Sequence, residues 1–166
     1  MNFHFYFTFI AALIPLFVGF IWYNPKVFGK AWMKASDMTE EKAKGANMIL
    51  MFSLTYLFSL FAAFSLIGLT IHQLSVFSIF ANDPTAMDPT SEAGGILKTV
   101  FEKYGSNFRT FKHGAFHGVI ISLLLILPVI GTNAIFERRG FKYIAINLGY
   151  WMISMALMGG LICACL

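Results

Sequence analysis

In the stretch FKHGAFHG, residues 111–118, His113 and His117 stand four positions apart where a charged loop gives way to an unbroken apolar run. On a helix this spacing stacks two imidazoles on one face, about 6 Å apart along the axis, within reach of one ion. Neutral imidazoles ligate zinc or copper, a facing pair ligates haem, and a pair can instead act as a protonation switch near neutral pH. Water or a loop carboxylate such as Asp83, Asp88 or Glu92 can complete a metal's shell. Packing is the opposing account: histidine has an apolar body and a polar tip that suit an interface. Lys112 opposes a nearby cation, and Gly114 and Gly118 let another helix approach closely.

The elements that must carry these residues follow from composition. Of the 166 residues 58% are hydrophobic and 12% charged, outside the usual soluble range. Crossing a hydrocarbon core about 30 Å thick takes roughly 20 helical residues. Runs 1–25, 46–81, 113–136 and 143–166 lack Asp, Glu, Lys and Arg. The expectation is an all-α polytopic membrane protein of a single domain over residues 1–166. Its four transmembrane helices fall at about 3–23, 46–71, 113–136 and 143–165, forming a bundle with interfacial amphipathic segments. Phe3, Phe5, Phe7 and Phe9 alternate with polar residues at strand period, but the continuous apolar run to Trp22 decides for helix. No basic residue precedes that run and no small-x-small site follows it, so it reads as a retained span and not a cleaved signal.

The excess of 12 Lys and Arg over 8 Asp and Glu sits in short loops and reads as topology, not as nucleic-acid binding. Lys26, Lys30, Lys34, Lys42 and Lys44 follow helix one, and Arg138, Arg139 and Lys142 separate helices three and four. The positive-inside rule places loops 24–45 and 137–142 in the cytoplasm, with both termini and loop 72–112 external. A bacterial inner membrane is the expected location. His4 and His72 then join His113 and His117 at the outer face as candidate ligands. The terminal CACL fits a prenylation pattern formally, but Cys163 and Cys165 read better as small apolar residues at a helix end.

Trp22, Tyr23 and Trp32 are expected as anchors at headgroup depth, apolar in body with a wet NH or OH. Lys26–Lys34 reads as a short helix in the inner interface, and Ile96, Leu97, Val100, Phe101 and Tyr104 as the apolar stripe of an outer amphipathic helix. Asn133, Asn147, Tyr150 and Trp151 form a polar group assigned to helices three and four, either packing glue or the lining of a ligand cavity. The basic inner residues can also recruit anionic lipid, at about 1 kcal/mol each.

IWYNPKVFGKAWMK in the first half, FERRGFKYIAINLGYWMISMALMGG in the second and GAFHG between them resemble the membrane family called domain of unknown function 1761. The resemblance covers nearly the whole chain and implies four spans, with no activity attached. No intramembrane carboxylate, phosphate loop or catalytic constellation supports an enzyme or an ion-coupled carrier. The expected role is a non-catalytic accessory or scaffold subunit contacting lipid and a membrane-protein partner or its own copies, without nucleic acid. The alternative is a binding or permeation protein for a small solute, lipid or metal. No cofactor is required on the first reading; a metal or haem belongs to the second.

Overall fold

The computed structural model describes residues 4–166, and among them every regular element is helical. The expected start of helix one at Phe3 lies outside the described residues. Helix one is two pieces, α1 (Tyr6–Ala11) and α2 (Ile14–Trp22). Pro15 explains the break: it has no N–H to give the carbonyl four residues earlier. The chain continues through α3 (Gly29–Ala35) and α4 (Glu40–Lys44), the latter capped where Thr39 Oγ1 accepts from the Lys42 amide. Asn47 caps α5 (Met48–Thr70) in the same way, accepting from the Leu50 amide.

At Ile71 the backbone turns extended and α6 (His72–Ile79) departs, so His72 opens a new helix; it does not end the expected second span. Loop 80–91 follows, then α7 (Glu92–Tyr104), capped by Ser91. The amphipathic helix is present, but its buried face is Ala93, Leu97 and Phe101 packed with Ala86, Val76 and Phe80 of α6 and its loop. Ile96 and Tyr104 are exposed.

Next come α8 (Phe111–Ile121), a π-helical turn (Ser122–Ile126) and α9 (Leu127–Phe136), which together make one long apolar rod. The π turn directly precedes Pro128, which cannot donate to the ladder; the Leu127 amide bonds back to Ser122 O. One extra residue per turn rotates everything beyond it by about 100°. The inward row Gly114, Gly118 and Ser122 therefore continues through Ile126 and Ala134, leaving Leu125, Val129 and Asn133 exposed. The turn at 137–140 leads to α10 (Phe141–Cys165).

Three helices are long and apolar enough to cross a membrane: Met48–Thr70, Phe111–Phe136 and Phe141–Cys165, with 23, 26 and 25 residues. Tyr6–Trp22 is a shorter apolar helix. It runs antiparallel beside α10, since the His4 amide donates to Leu166 O at one end (3.2 Å) and Trp22 Nε1 donates to Ile146 O at the other (3.0 Å). The core between α1, α5 and α10 holds Ala11, Ala12, Ala63, Leu66, Ile71, Met158 and Ile162.

The helices α8 and α10 pack backbone to backbone. A Cβ placed on Gly114 would lie 2.0 Å from Gly159 O, and one on Gly118 would lie 2.2 Å from Met155 O. No side chain fits at either position, so backbone meets backbone in the small-residue mode of membrane helices.

Candidate metal centre

That contact fixes α8, and with it His113 and His117, each one residue before a packed glycine. His72 comes from a different element, on the first turn of α6. The three rings converge: one nitrogen from each lies within 4.8 Å of the others. His113 Nε2 and His72 Nε2 are 3.0 Å apart and share a hydrogen bond whose direction depends on the tautomers. Ring centroids are separated by 4.5 Å for His113 and His117 and by 5.0 Å for His72 with either, all in edge-to-face contact.

His117 makes no hydrogen bond to any described residue, although it is half-buried beside two other imidazoles. Tetrahedral zinc with Zn–N of about 2.0–2.1 Å needs nitrogens roughly 3.4 Å apart. Rotamer adjustments of about an ångström reach that spacing from the observed one. A haem ligated between two histidines needs them to face each other across a porphyrin plane, and the edge-to-face crowding leaves no such slot.

A short strap, residues 105–110, closes over this cluster. Phe108 sits at left-handed φ of 61°, costly for a side chain of its size. Its ring lies 5.1 Å from that of His113 and 6.3 Å from that of His72. Gln73 Nε2 donates to Tyr104 O (3.2 Å) and Asn107 O (2.8 Å), Arg109 Nε donates to Cys163 O (2.9 Å), and the Cys163 thiol donates to Phe108 O (3.2 Å). Cys163 is thus part of the fastening. The sequence marked Cys163 only as a small apolar residue at a helix end and Tyr104 only as part of an apolar stripe, and it did not single out Gln73, Asn107 or Phe108.

His4 is near the chain's other end at Leu166 and contacts Tyr6, outside the three-histidine group. The loop carboxylates have other work. Asp83 Oδ1 accepts from the amide and hydroxyl of Thr85, and Asp88 Oδ1 does the same with Thr90. Those hydrogen bonds hold both carboxyls below the ordinary carboxylate range. Glu92 lies in the first turn of α7. None of the three joins the histidines.

The polar group assigned to helices three and four divides differently. Asn133 is exposed on α9, rotated away by the π turn. Asn147 faces helix one and α3 instead: its Oδ1 accepts from Tyr23 OH (3.1 Å) and Trp32 Nε1 (3.3 Å), while its Nδ2 donates to Tyr143 O (2.8 Å). Tyr150 OH donates to Pro15 O (3.1 Å). Trp151 packs toward α5 and α9, beside a cavity of about 360 Å³ lined mostly by apolar side chains. The expected anchors Trp22, Tyr23 and Trp32 therefore direct their polar atoms onto α10, where the sequence reading had them wet.

An all-helical chain with three membrane-compatible helices and a close-packed glycine seam defines a helical membrane-type protein. The family profile described as "Protein of unknown function (DUF1761)" matches residues 6–163, and the chain belongs to that family. No curated protein and no solved structure matches it.

Proposed function

We propose that this chain is a non-catalytic, four-span membrane protein that binds a zinc or copper ion at its outer end through His72, His113 and His117. The convergence of three imidazoles from two helices carries the reading. One hydrogen bond accounts for two of the rings. The third, placed against both without a hydrogen bond of its own, completes a ligand set open to water or a small solute in the fourth position. Neutral nitrogen donors suit zinc and copper better than magnesium or calcium.

The fourth span is Tyr6–Trp22, roughly 26 Å of helix at about 1.5 Å per residue. Its hydrogen bonds to both ends of α10 support equal depth in the bilayer. The clustered Lys and Arg support an orientation with loops 24–45 and 137–142 in the cytoplasm and both termini outside, and we read the membrane as a bacterial inner membrane. Introduced thiols at Lys42→Cys and Glu102→Cys, in a Cys163→Ala, Cys165→Ala background, test this: an impermeant reagent should label only the second in intact cells.

Metal content of protein purified in mild detergent and equilibrated with Zn²⁺ or Cu²⁺ tests the centre. One ion per chain is expected, retained in His4→Ala and lost in His113→Ala, His117→Ala. Equal loading of wild type and the double variant would refute the site.

A second reading, as an accessory subunit of a membrane assembly, draws on the rod Phe111–Phe136, of whose most apolar window only 11% is buried. Such a face can receive a partner helix or another copy as well as lipid. Native mass spectrometry separates the readings: a stoichiometric polypeptide supports the subunit role, a bound ion supports the centre.

A further inference from the structure

The opposite end of the molecule gathers basic side chains around a cavity. A cavity of about 480 Å³ opens between the end of α3 and the turn joining α9 to α10, lined by Lys34, Asp37, Arg138, Arg139, Lys142 and Tyr143. Four of those side chains are cationic and one is anionic. Asp37 pairs with Arg139, and Glu137, the other nearby carboxylate, lies 3.8 Å from Arg139 Nε, beyond hydrogen-bond reach. Arg139 Nε is buried without a hydrogen-bond partner. Lys34, Arg138 and Lys142 have no ion-pair partner among the described residues.

The backbone adds an independent observation. Asp37 and Arg138 both adopt left-handed φ, 52° and 55°, at the ends of their helices. In each case the next amide bonds five residues back, Met38 to Met33 O and Arg139 to Ala134 O. Glycine is the usual residue at that position of a helix end. Here both positions carry charged side chains, and both line the same cavity.

Depth supplies the ligand class. One turn along α10 from Tyr143, Asn147 gathers Tyr23 and Trp32, the aromatic pair of the inner interface. On the membrane reading above, the cavity therefore lies at headgroup level beneath two spans. We propose that it is a binding site for the phosphodiester headgroup of an anionic phospholipid, held by Arg138, Lys142 and Lys34, the three cations of the cavity that no carboxylate neutralises.

Native mass spectrometry of protein released from vesicles of mixed phosphatidylglycerol and phosphatidylcholine tests this. Wild type should retain phosphatidylglycerol preferentially. Arg138→Gly removes one cation while relaxing the left-handed backbone, so folding is not at stake, and retention should fall at least about tenfold, as expected for loss of one direct charge-assisted hydrogen bond to the phosphate. Lys42→Gln, in the same basic segment but away from the cavity, should have a much smaller effect. Equal weakening by the two variants would overturn the proposal in favour of the general surface field. Displacement of the lipid by excess inorganic phosphate would overturn it in favour of a free anion.

Discussion

Replacing Gly118 by alanine puts a methyl where its carbon would lie 2.2 Å from Met155 O. Carbon–oxygen contacts between helices settle at about 3.3–3.6 Å, so α8 and α10 must part by roughly 1 Å. The obstacle is backbone, which cannot swing aside as a side-chain tip does. Overpacking of this kind costs about 1–3 kcal/mol, which for a chain of this size corresponds to a melting-point decrease on the order of 5 °C. Gly68 and Gly131 are matched controls, because a Cβ there meets nothing within 4 Å. In those open helical positions alanine should be neutral or stabilising by up to about 1 kcal/mol. Thermal unfolding of the three variants in one detergent gives the comparison, and zinc titration of the same samples extends it. His117 adjoins Gly118, and ligand distances tolerate only about ±0.2 Å, so Gly118→Ala should also weaken zinc binding. Equal melting points for Gly118→Ala and Gly131→Ala would refute the seam as described.

Asn147→Ala leaves Tyr23 OH and Trp32 Nε1 without their shared acceptor and should destabilise by about 1–3 kcal/mol, with a change in tryptophan emission reporting the altered environment of Trp32. Phe108→Gly relieves the left-handed backbone and should unfold no earlier than wild type, whereas Phe108→Val should lose about 1–2 kcal/mol in the same melting assay. Asp83 and Asp88 have depressed folded-state pKa values, so their contribution to loop order is present above the ordinary 3.8 and disappears as pH falls through the lower folded value. Carboxyl NMR titrations should therefore show both midpoints below 3.8, and Asp88→Asn should raise amide exchange at Thr90 at neutral pH.

Where the sequence succeeded, the signal was strong and local. Long uncharged runs located the three membrane-compatible helices, and the paired glycines beside the histidines marked a close helix approach. What escaped was rotational and long-range. Asn133 was grouped with Asn147, Tyr150 and Trp151 as a polar set between helices three and four, but a π turn at 122–126 delays the helix by one residue and leaves it exposed. Pro128 was the visible cue, but a proline can equally be absorbed by a simple kink. Asn147 was paired with its neighbour in sequence, helix three, although its partners lie more than a hundred residues away on helix one and α3. Tyr23 and Trp32 carried interface chemistry in either case, and spacing alone cannot say that their polar atoms meet protein and not water. His72 was placed at the correct end of the molecule, but on the wrong helix, because nothing in the apolar run 46–81 marks the turn at Ile71.

That turn has a mechanical consequence. Two of the three imidazoles belong to the glycine seam of α8 and α10, where backbone meets backbone, while the third rides on α6, which shares a small core of its own with α7. An ion gripped by all three would act as a rivet between a rigid frame and a semi-independent outer flap. Loading and stripping it would then be felt as a change in how freely α6 and α7 swing, readable as amide exchange across 72–104 while the frame stays silent.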